Sequence, residues 1–271
     1  IELYPRKELG QNFLVAPRVL GQILSAAEVG PQDTVLEIGS GLGILTQALA
    51  ERARRVVAVE IDRQLVAILC QRLEAFPNTE VVLGDILTLD IAGLVQEKPM
   101  QSVPPYKVVA NIPYYITSAV LRHLLETSIR PQLIVLMVQR EVAQRIVAQP
   151  GQMSLLAVSV QFYGQPRLVA RVPARSFYPV PKVDSAIIRI DPREQLPLGT
   201  DDIAPFFDLV HAGFSQRRKQ LRNALAHGLA LPAEHIAQAL AGAGIDGQRR
   251  AQTLSVSEWV MLYQALRSAP D

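Results

Sequence analysis

The sequence predicts an α/β protein with a doubly wound, mostly parallel sheet and a small all-helical C-terminal domain. Three observations carry that expectation. Short runs rich in Val, Ile and Leu alternate with helix-patterned stretches over the first two-thirds of the chain, which is the βαβα pattern of doubly wound folds. Those runs mostly lack polar alternation, as strands covered on both faces do. Beyond the linker-like "DPREQLPLGTDD" (191–202) the pattern is helical throughout. The expected division is therefore 1–196 for the sheet-bearing domain and 197–271 for the helical one.

The strands expected are "TVLEI" (34–38), "RVVAVE" (55–60), "EVVL" (80–83), "KVVAN" (107–111) and "LIVLMV" (133–138). A helix over 17–28 precedes them, with Pro17 in its first turn, where a missing N–H does no harm. Helical patterns at 43–52, 63–75, 117–126 and 140–148 lie between or after the strands. "MSLLAVSVQFY" (153–163) fits helix or strand. "PRLVARV" (166–172) and "DSAIIRI" (184–190) read as strands flanking "PARSFYPVPKV", whose prolines exclude long regular structure. Helices are expected at 202–214, 217–228, 232–242 and 256–267, the last opened by a capping box of Ser255 with Glu258.

Composition bounds the function. The 271 residues are 49% hydrophobic and 19% charged, enough apolar matter for a sizeable core and little for disorder. Charges or prolines interrupt each apolar run before membrane-spanning length. The opening stretch lacks the basic-then-apolar pattern of a secretory signal, so a cytoplasmic enzyme is the expectation. A single cysteine, Cys70, excludes an intrachain disulfide framework, and four scattered histidines give no metal spacing; no metal is expected. Net charge is only +2, but 22 of the 27 basic residues are Arg, whose planar fork suits phosphate and base recognition.

The first strand runs into "EIGSGLGIL", with Gly39, Gly41 and Gly43 in the strand-to-helix turn. Glycines there let a ligand approach the backbone at a helix N-terminus. A dinucleotide fingerprint needs G-x-G-x-x-G; Ile44 stands where its third glycine would be. The pattern E-x-G-x-G-x-G fits S-adenosylmethionine instead, which has no pyrophosphate to cradle. Glu60, at the end of the second strand, is placed to bind ribose hydroxyls. Asp85, at the end of the third, is placed to accept from an adenine amine, with Ile61 and Ile86 beside the ring.

The fourth strand ends in "NIPYY" (111–115). An exocyclic adenine amine is a poor nucleophile because its lone pair is delocalised into the ring. Two carbonyls that accept its N–H groups localise that pair. Asn111 offers a side-chain carbonyl, and Pro113 fixes the backbone that presents the Ile112 carbonyl. Tyr114 offers a flat ring for the base, worth roughly 1–3 kcal/mol. Tyr115 is expected to pack beneath it.

"LGQNFL" (9–14), "EIGSGLGILT" (37–46), "VEID" (59–62), "GDIL" (84–87), "NIPYYI" (111–116), "SFYPVPKVDSAII" (176–188) and "FSQRRKQLRNAL" (214–225) occur in that order. Together they resemble the ribosomal RNA adenine N6,N6-dimethyltransferase family over almost the whole chain, most closely its small-subunit branch. The resemblance implies a Rossmann-like methyltransferase domain and transfer of four methyl groups from S-adenosylmethionine. The acceptors implied are two adjacent adenines in a hairpin near the 3′ end of small-subunit rRNA. By the same resemblance Asn12 and Leu14 join Gly39, Glu60, Asp85 and Asn111 at the cofactor, and Phe177 faces Tyr114 across the target base.

A base must be turned out of its hairpin to reach such a pocket. Arg217, Arg218, Lys219 and Arg222 carry no acid among them and are the expected RNA contacts, with Arg218 and Arg222 sharing a helical face; Arg6, Lys7 and Arg18 are weaker candidates. The partner expected is small-subunit rRNA in a 30S-like particle, bound by a monomer. The rival readings are a large-subunit rRNA dimethylase, a non-catalytic ribosome-binding factor on the same fold, and an NAD oxidoreductase. Ile44 and the lack of a hydride-site His or Tyr/Lys pair weigh against the last.

Overall fold

The structure, a computed structural model, describes residues 6, 9–96, 104–216 and 218–268. Its strands are β1 (Phe13–Leu14), β2 (Thr34–Ile38), β3 (Arg55–Glu60), β4 (Thr79–Leu83), β5 (Tyr106–Asn111), β6 (Leu133–Gln139), β7 (Gly164–Val172), β8 (Phe177–Tyr178) and β9 (Ser185–Pro192). Helices α1 (Pro17–Ala27), α2 (Ile44–Ala50), α3 (Arg63–Arg72), α4 (Ile91–Val95), α5 (Thr117–Leu125) and α6 (Arg140–Ile146) lie between them. The five expected strands of the parallel core all form, each within one residue of its expected ends. The proline-punctuated loop holds a short 3-10 turn at Ala174–Ser176 and then β8, which pairs with β1 in a two-stranded ladder.

Seven strands make one sheet in the order β4-β3-β2-β5-β6-β9-β7. β2, β3, β4, β5 and β6 are mutually parallel where they pair, and β9 runs antiparallel to β6. Val35, Leu36, Val57, Val108, Val109 and Leu136 are fully buried, which explains why these strands read as continuous apolar runs. From β2 the chain steps outward to β3 and β4, then returns to lay β5 on the other side of β2. That reversal separates the loops at the carboxyl ends of β2 and β5, where open α/β sheets bind ligands.

The contacts within the chain divide it into two compact units. One comprises residues up to Ala143 with Gln165–Pro192, and the other comprises Gln144–Gly164 with Arg193 onward. This differs from the expected 1–196 and 197–271. The ambiguous "LLAVSVQFY" is helix α7 (Leu155–Tyr163), capped by Ser154, whose Oγ accepts from Ala157 N at 3.2 Å. Its Phe162 is fully buried and stacks on Phe206 of α8 (Thr200–Phe214) at a centroid distance of 4.8 Å. A helix apolar on most sides must find several apolar neighbours, and it finds them among residues distant in sequence. Helices α9 (Leu221–Leu229), α10 (Ala233–Gly242) and α11 (Val256–Ser268) complete the second unit. Among the described residues no helix is long and apolar enough to cross a membrane.

The expected capping box opens α11. Ser255 N donates to Glu258 Oε2 at 2.7 Å, and Glu258 N donates to Ser255 Oγ at 3.2 Å. Arg249 also bonds the carboxylate and, with the Ser255 donors, holds its pKa down at about 2 against desolvation. Glu258→Gln should therefore lower stability at pH 7 by about 1 kcal/mol, a typical cap contribution. A carboxylate with a depressed folded pKa contributes its stability above the ordinary value of 4.5 and loses it as pH falls. The gap between variant and wild type should narrow from pH 4.5 toward pH 2, as urea-unfolding midpoints across that range will show.

Candidate active site

One cleft of about 350 Å³ opens at the reversal of the sheet. The glycine loop after β2, the ends of β3, β4 and β5, and the stretch 9–14 line it. It gathers Asn12, Leu14, Gly39, Gly41, Glu60, Ile61, Asp85, Ile86, Asn111, Pro113 and Tyr114, residues spread over about a hundred positions of sequence.

The glycine loop is left-handed at each glycine, with φ of +73° at Gly39, +58° at Gly41 and +82° at Gly43, where side chains with a Cβ are strained. Space is short as well. A Cβ on Gly43 would lie 2.9 Å from Leu69 Cδ2, and one on Gly41 would lie 3.3 Å from Phe13 Cδ1. One on Gly39 would lie at ordinary contact distance, 3.5 Å, from the Asn111 carbonyl oxygen, so at this glycine it is the left-handed φ alone that a side chain would strain.

Three acidic side chains border the cleft. Glu60 Oε2 accepts from Gly41 N and Oε1 accepts from Asp62 N, both at 2.9 Å. Each oxygen keeps a further lone pair for a ligand. Burial raises the Glu60 pKa, and the backbone N–H groups of Asp62, Gly41 and Ile61 pull it back. Asp85 Oδ1 accepts from Leu87 N at 3.0 Å, which turns the chain after β4 and sets the carboxylate at the rim. Glu37, in the middle of the apolar run of β2, is 1% exposed. Its pKa is pushed up to about 7, chiefly by burial and in small part by the Glu60 charge. The Ser40 and Thr46 hydroxyls act in the opposite sense, but neither they nor Glu37 Oε2 makes a hydrogen bond of good geometry.

Asn111 closes β5. Its Nδ2 donates to the Asn12 carbonyl at 3.3 Å, which leaves Oδ1 as the acceptor available to a ligand in the cleft. Asn12 is itself turned by a bond from its Nδ2 to the Gly10 carbonyl at 3.0 Å. Pro113, with φ of −56°, starts a 3-10 turn over Tyr114–Ile116, and Thr117 Oγ1 donates back to the Tyr114 carbonyl at 3.0 Å. The Tyr114 ring is half-buried, and its hydroxyl oxygen lies 2.6 Å from Ser185 Oγ.

The family model for ribosomal RNA adenine dimethylase matches residues 4–268. The chain belongs to that family. A Dehalococcoides mccartyi protein described as ribosomal RNA small subunit methyltransferase A is 49% identical over 261 residues, covering 96% of this chain and 88% of its own length. One of the same description from Moorella thermoacetica is 46% identical over 271 residues, covering 98% and 93%. Among solved structures, the 23S rRNA methyltransferase ErmE matches with a TM-score of 0.76 and 32% identity, covering 95% of this chain and 100% of that one. A dimethyladenosine transferase from Plasmodium falciparum matches with a TM-score of 0.79 and 28% identity, covering 92% and 95%.

Enzymes of this family use S-adenosylmethionine, and the cleft of this chain fits it. The loop glycines leave the backbone bare beside the helix N-terminus. Glu60 and Asp85, at the ends of the neighbouring strands β3 and β4, bring two carboxyl groups to the cleft, the kind of acceptor that a ribose diol and a purine amine would use. Ile61, 50% exposed at the rim, and the buried Ile86 offer apolar surface beside them. Among the described residues no cluster of His, Cys, Asp and Glu is suited to a metal ion.

Several expectations change. Phe177 does not face Tyr114 across an open site. It is 2% exposed, pairs with Leu14 in the β1–β8 ladder and joins the hydrophobic core with Val19, Ile23 and Val172. Alternation along β8 turns Tyr178 outward instead. Tyr115 does not pack beneath Tyr114; it is 66% exposed, with its ring against Gly10. The basic stripe is not one helical face. Helix α9 starts at Leu221, because the amides of Leu221 and Arg222 donate to the carbonyls of Arg249 and Gly247. Arg218 and Lys219 therefore lie in the preceding turn, exposed, and of the described members Arg222 alone is helical. Arg217 and Lys7 fall outside the described residues. Arg18 is exposed, whereas Arg6 lies 3.6 Å from Asp62, which also accepts from Gln11 Nε2 at 3.0 Å. That bond latches the 9–12 stretch to the end of β3.

Sequence reasoning quoted Glu37 and Ser185 without giving either a role. A lone acid inside an otherwise apolar strand was a visible signal for Glu37; nothing in the sequence marked Ser185. Burial that raises a carboxyl pKa favours the protonated folded state, so stability falls as pH rises from the ordinary 4.5 through about 7. Glu37→Gln should abolish that fall. Relative to the variant, wild type should lose up to about 3 kcal/mol between pH 4.5 and pH 8, as urea-unfolding midpoints of the ligand-free protein will test.

Proposed function

We infer that the chain dimethylates the N6 amine of adenosines in small-subunit (16S) rRNA with S-adenosylmethionine, as a step in maturation of the ribosomal small subunit. One observation supports the chemistry: Asn111 lines the cleft with its Nδ2 engaged by the Asn12 carbonyl, which leaves Oδ1 as a spare acceptor. The branch assignment rests on identity. Relatives described as small-subunit enzymes are 40–49% identical to the chain, against 32% for the large-subunit ErmE.

S-adenosylmethionine supplies an electrophilic methyl group carried on a sulfonium sulfur. Asn12, Leu14, Gly39, Gly41, Glu60, Ile61, Asp85, Ile86 and Asn111 hold it. Asn111 Oδ1 and the Ile112 carbonyl accept the two N–H groups of the target amine and steer its lone pair toward the methyl group. Tyr114 stacks on the base and holds nitrogen and methyl in line, an orientation effect worth several kcal/mol. No strong base is required: as the N–C bond forms and the methyl–sulfur bond breaks, the thioether S-adenosylhomocysteine leaves, and the amine, acidic once alkylated, gives its proton to water. In the second unit the exposed Arg218, Lys219 and Arg222, with Arg217, bind phosphates of the RNA. The acceptors are two adjacent adenosines in a hairpin near the 3′ end of the rRNA. They are met in a 30S-like particle in the cytoplasm by one copy of the chain.

The deciding experiment incubates the protein and S-adenosylmethionine with 30S particles that lack the modification and, in parallel, with unmethylated large-subunit rRNA, and maps methylated adenosines by mass spectrometry. Two adjacent dimethyladenosines are expected; methylation of large-subunit RNA instead would overturn the branch assignment. In the same assay Asn111→Ala should lower methyl transfer by at least about 100-fold, the scale of a lost transition-state hydrogen-bond partner. Cofactor affinity, read by calorimetry, should fall much less. Full transfer by Asn111→Ala would remove the role given to it. Arg218→Ala with Arg222→Ala should weaken rRNA binding and flatten the plot of log K against log salt by about 1–2; an unchanged slope would count against those phosphate contacts.

A further inference from the structure

The Tyr114 and Ser185 hydroxyls lie 2.6 Å apart. Ser185 is 0% exposed and begins β9, and the chain around it is held on both sides. It pairs with Gln139 of β6. The preceding Asp184 accepts from Arg140 N through its carbonyl and from Ala174 N through Oδ1, both at 3.0 Å. Its hydroxyl is thus a point on the rigid part of the sheet.

Tyr114 is placed differently. It opens a three-residue 3-10 turn, and its ring lines two spaces, the cleft already described and a shallower hollow bordered by Gly10, Asn12, Tyr115 and Gln139. A half-buried ring at such a junction is free to swing about χ1 unless its far end is held. The hydroxyl lies at that far end, on the ring's long axis. Bonding it to a fixed point removes the swing.

We propose that Ser185 is a positioning residue for methyl transfer, tethering the Tyr114 hydroxyl so that the ring is set before RNA arrives. The hydroxyl of Tyr114 is then an anchor and takes no part in the chemistry, which gives a reason for tyrosine where phenylalanine offers the same stacking face. Burial raises the Tyr114 pKa, so the phenol stays neutral and able to share its proton with Ser185. Setting the ring in advance saves the ordering otherwise needed at the moment of binding. The proposal rests on the reading of Tyr114 as the stacking ring.

The test is a double-mutant cycle of Ser185→Ala and Tyr114→Phe. It is assayed for methyl transfer to 30S particles lacking the modification, with cofactor affinity by calorimetry and thermal midpoints as controls. Each single variant should lower kcat/KM for the RNA roughly five- to tenfold, as one hydrogen bond does. Cofactor affinity should stay within about twofold. The double variant should be no worse than either single one, because each removes the same contact. Wild-type kcat/KM in Ser185→Ala, or losses that multiply in the double variant, would overturn the tether. A drop in cofactor affinity equal to the drop in kcat/KM would do the same, since it would show a general structural role. Because Ser185→Ala leaves a buried phenol short of a partner, Tyr114→Phe, which leaves none on the ring, decides the case if Ser185→Ala unfolds. Wild-type protein that methylates no adenosine would instead remove the stacking reading, and the proposal with it. A Tyr114→Ala loss alongside unaffected Ser185→Ala and Tyr114→Phe would remove the tether alone.

Discussion

The close approach of the β2 loop to the end of β5 is the constraint on which the site depends. Neighbouring strands β2 and β5 pair in register as far as Ile38 and Ala110. The next residues, Gly39 and Asn111, then lie side by side, with a Cβ on Gly39 falling at ordinary contact distance from the Asn111 carbonyl. That contact follows from the pairing of the two strands, and beyond it the order of the sheet reverses. The chain leaves β2 toward one edge and leaves β5 toward the other, so their loops part and leave a cleft between them. Every other functional group is placed by reference to that gap.

Buried charge is managed around it in two ways. Glu60 is desolvated but accepts backbone N–H groups from Gly41 and Asp62, so one side chain ties the glycine loop to the end of β3 and keeps capacity for a ligand. Glu37 has no such compensation and carries a pKa near neutrality. The two acids are thus not equivalent, although both line the same cleft. On the far side of the cleft the proposed chemistry needs no ionised group: it uses Asn111 and the Ile112 carbonyl as neutral acceptors and the Tyr114 ring as a surface. That suits an amine nucleophile, which needs its lone pair directed more than it needs a proton removed.

The N-terminal stretch and the β8–β9 region add what the parallel core cannot supply. Residues 9–14 bring the Asn12 carbonyl to Asn111, and the Gln11–Asp62 bond holds them there. β9, running antiparallel to β6, brings Ser185 to Tyr114. Both contacts join residues about seventy to a hundred positions apart, and both act on the short segment between β5 and α5.

Much of this was legible in the sequence, for definite reasons. Strands covered on both faces must be apolar throughout, so the β2–β6 runs declared themselves and their ends located Gly39, Glu60, Asp85 and Asn111 on one edge. The motif spacing identified the family and its cofactor before any coordinate. What the sequence could not decide depended on partners far along the chain. Helix α7 joined the second unit because its all-round apolar surface needed α8. Arg218 and Lys219 left the helix because distant carbonyls claimed the first amides of α9. Phe177 went into the core, and Tyr115 out of it, because a two-residue ladder and a 3-10 turn each present their residues in alternation or rotation that composition does not specify. The sequence by itself determined the family and which functional groups stand at the strand ends, since apolar runs locate those ends; the tertiary structure alone decided which rings are held, which are exposed and what holds them, since those depend on distances between segments that no local pattern encodes.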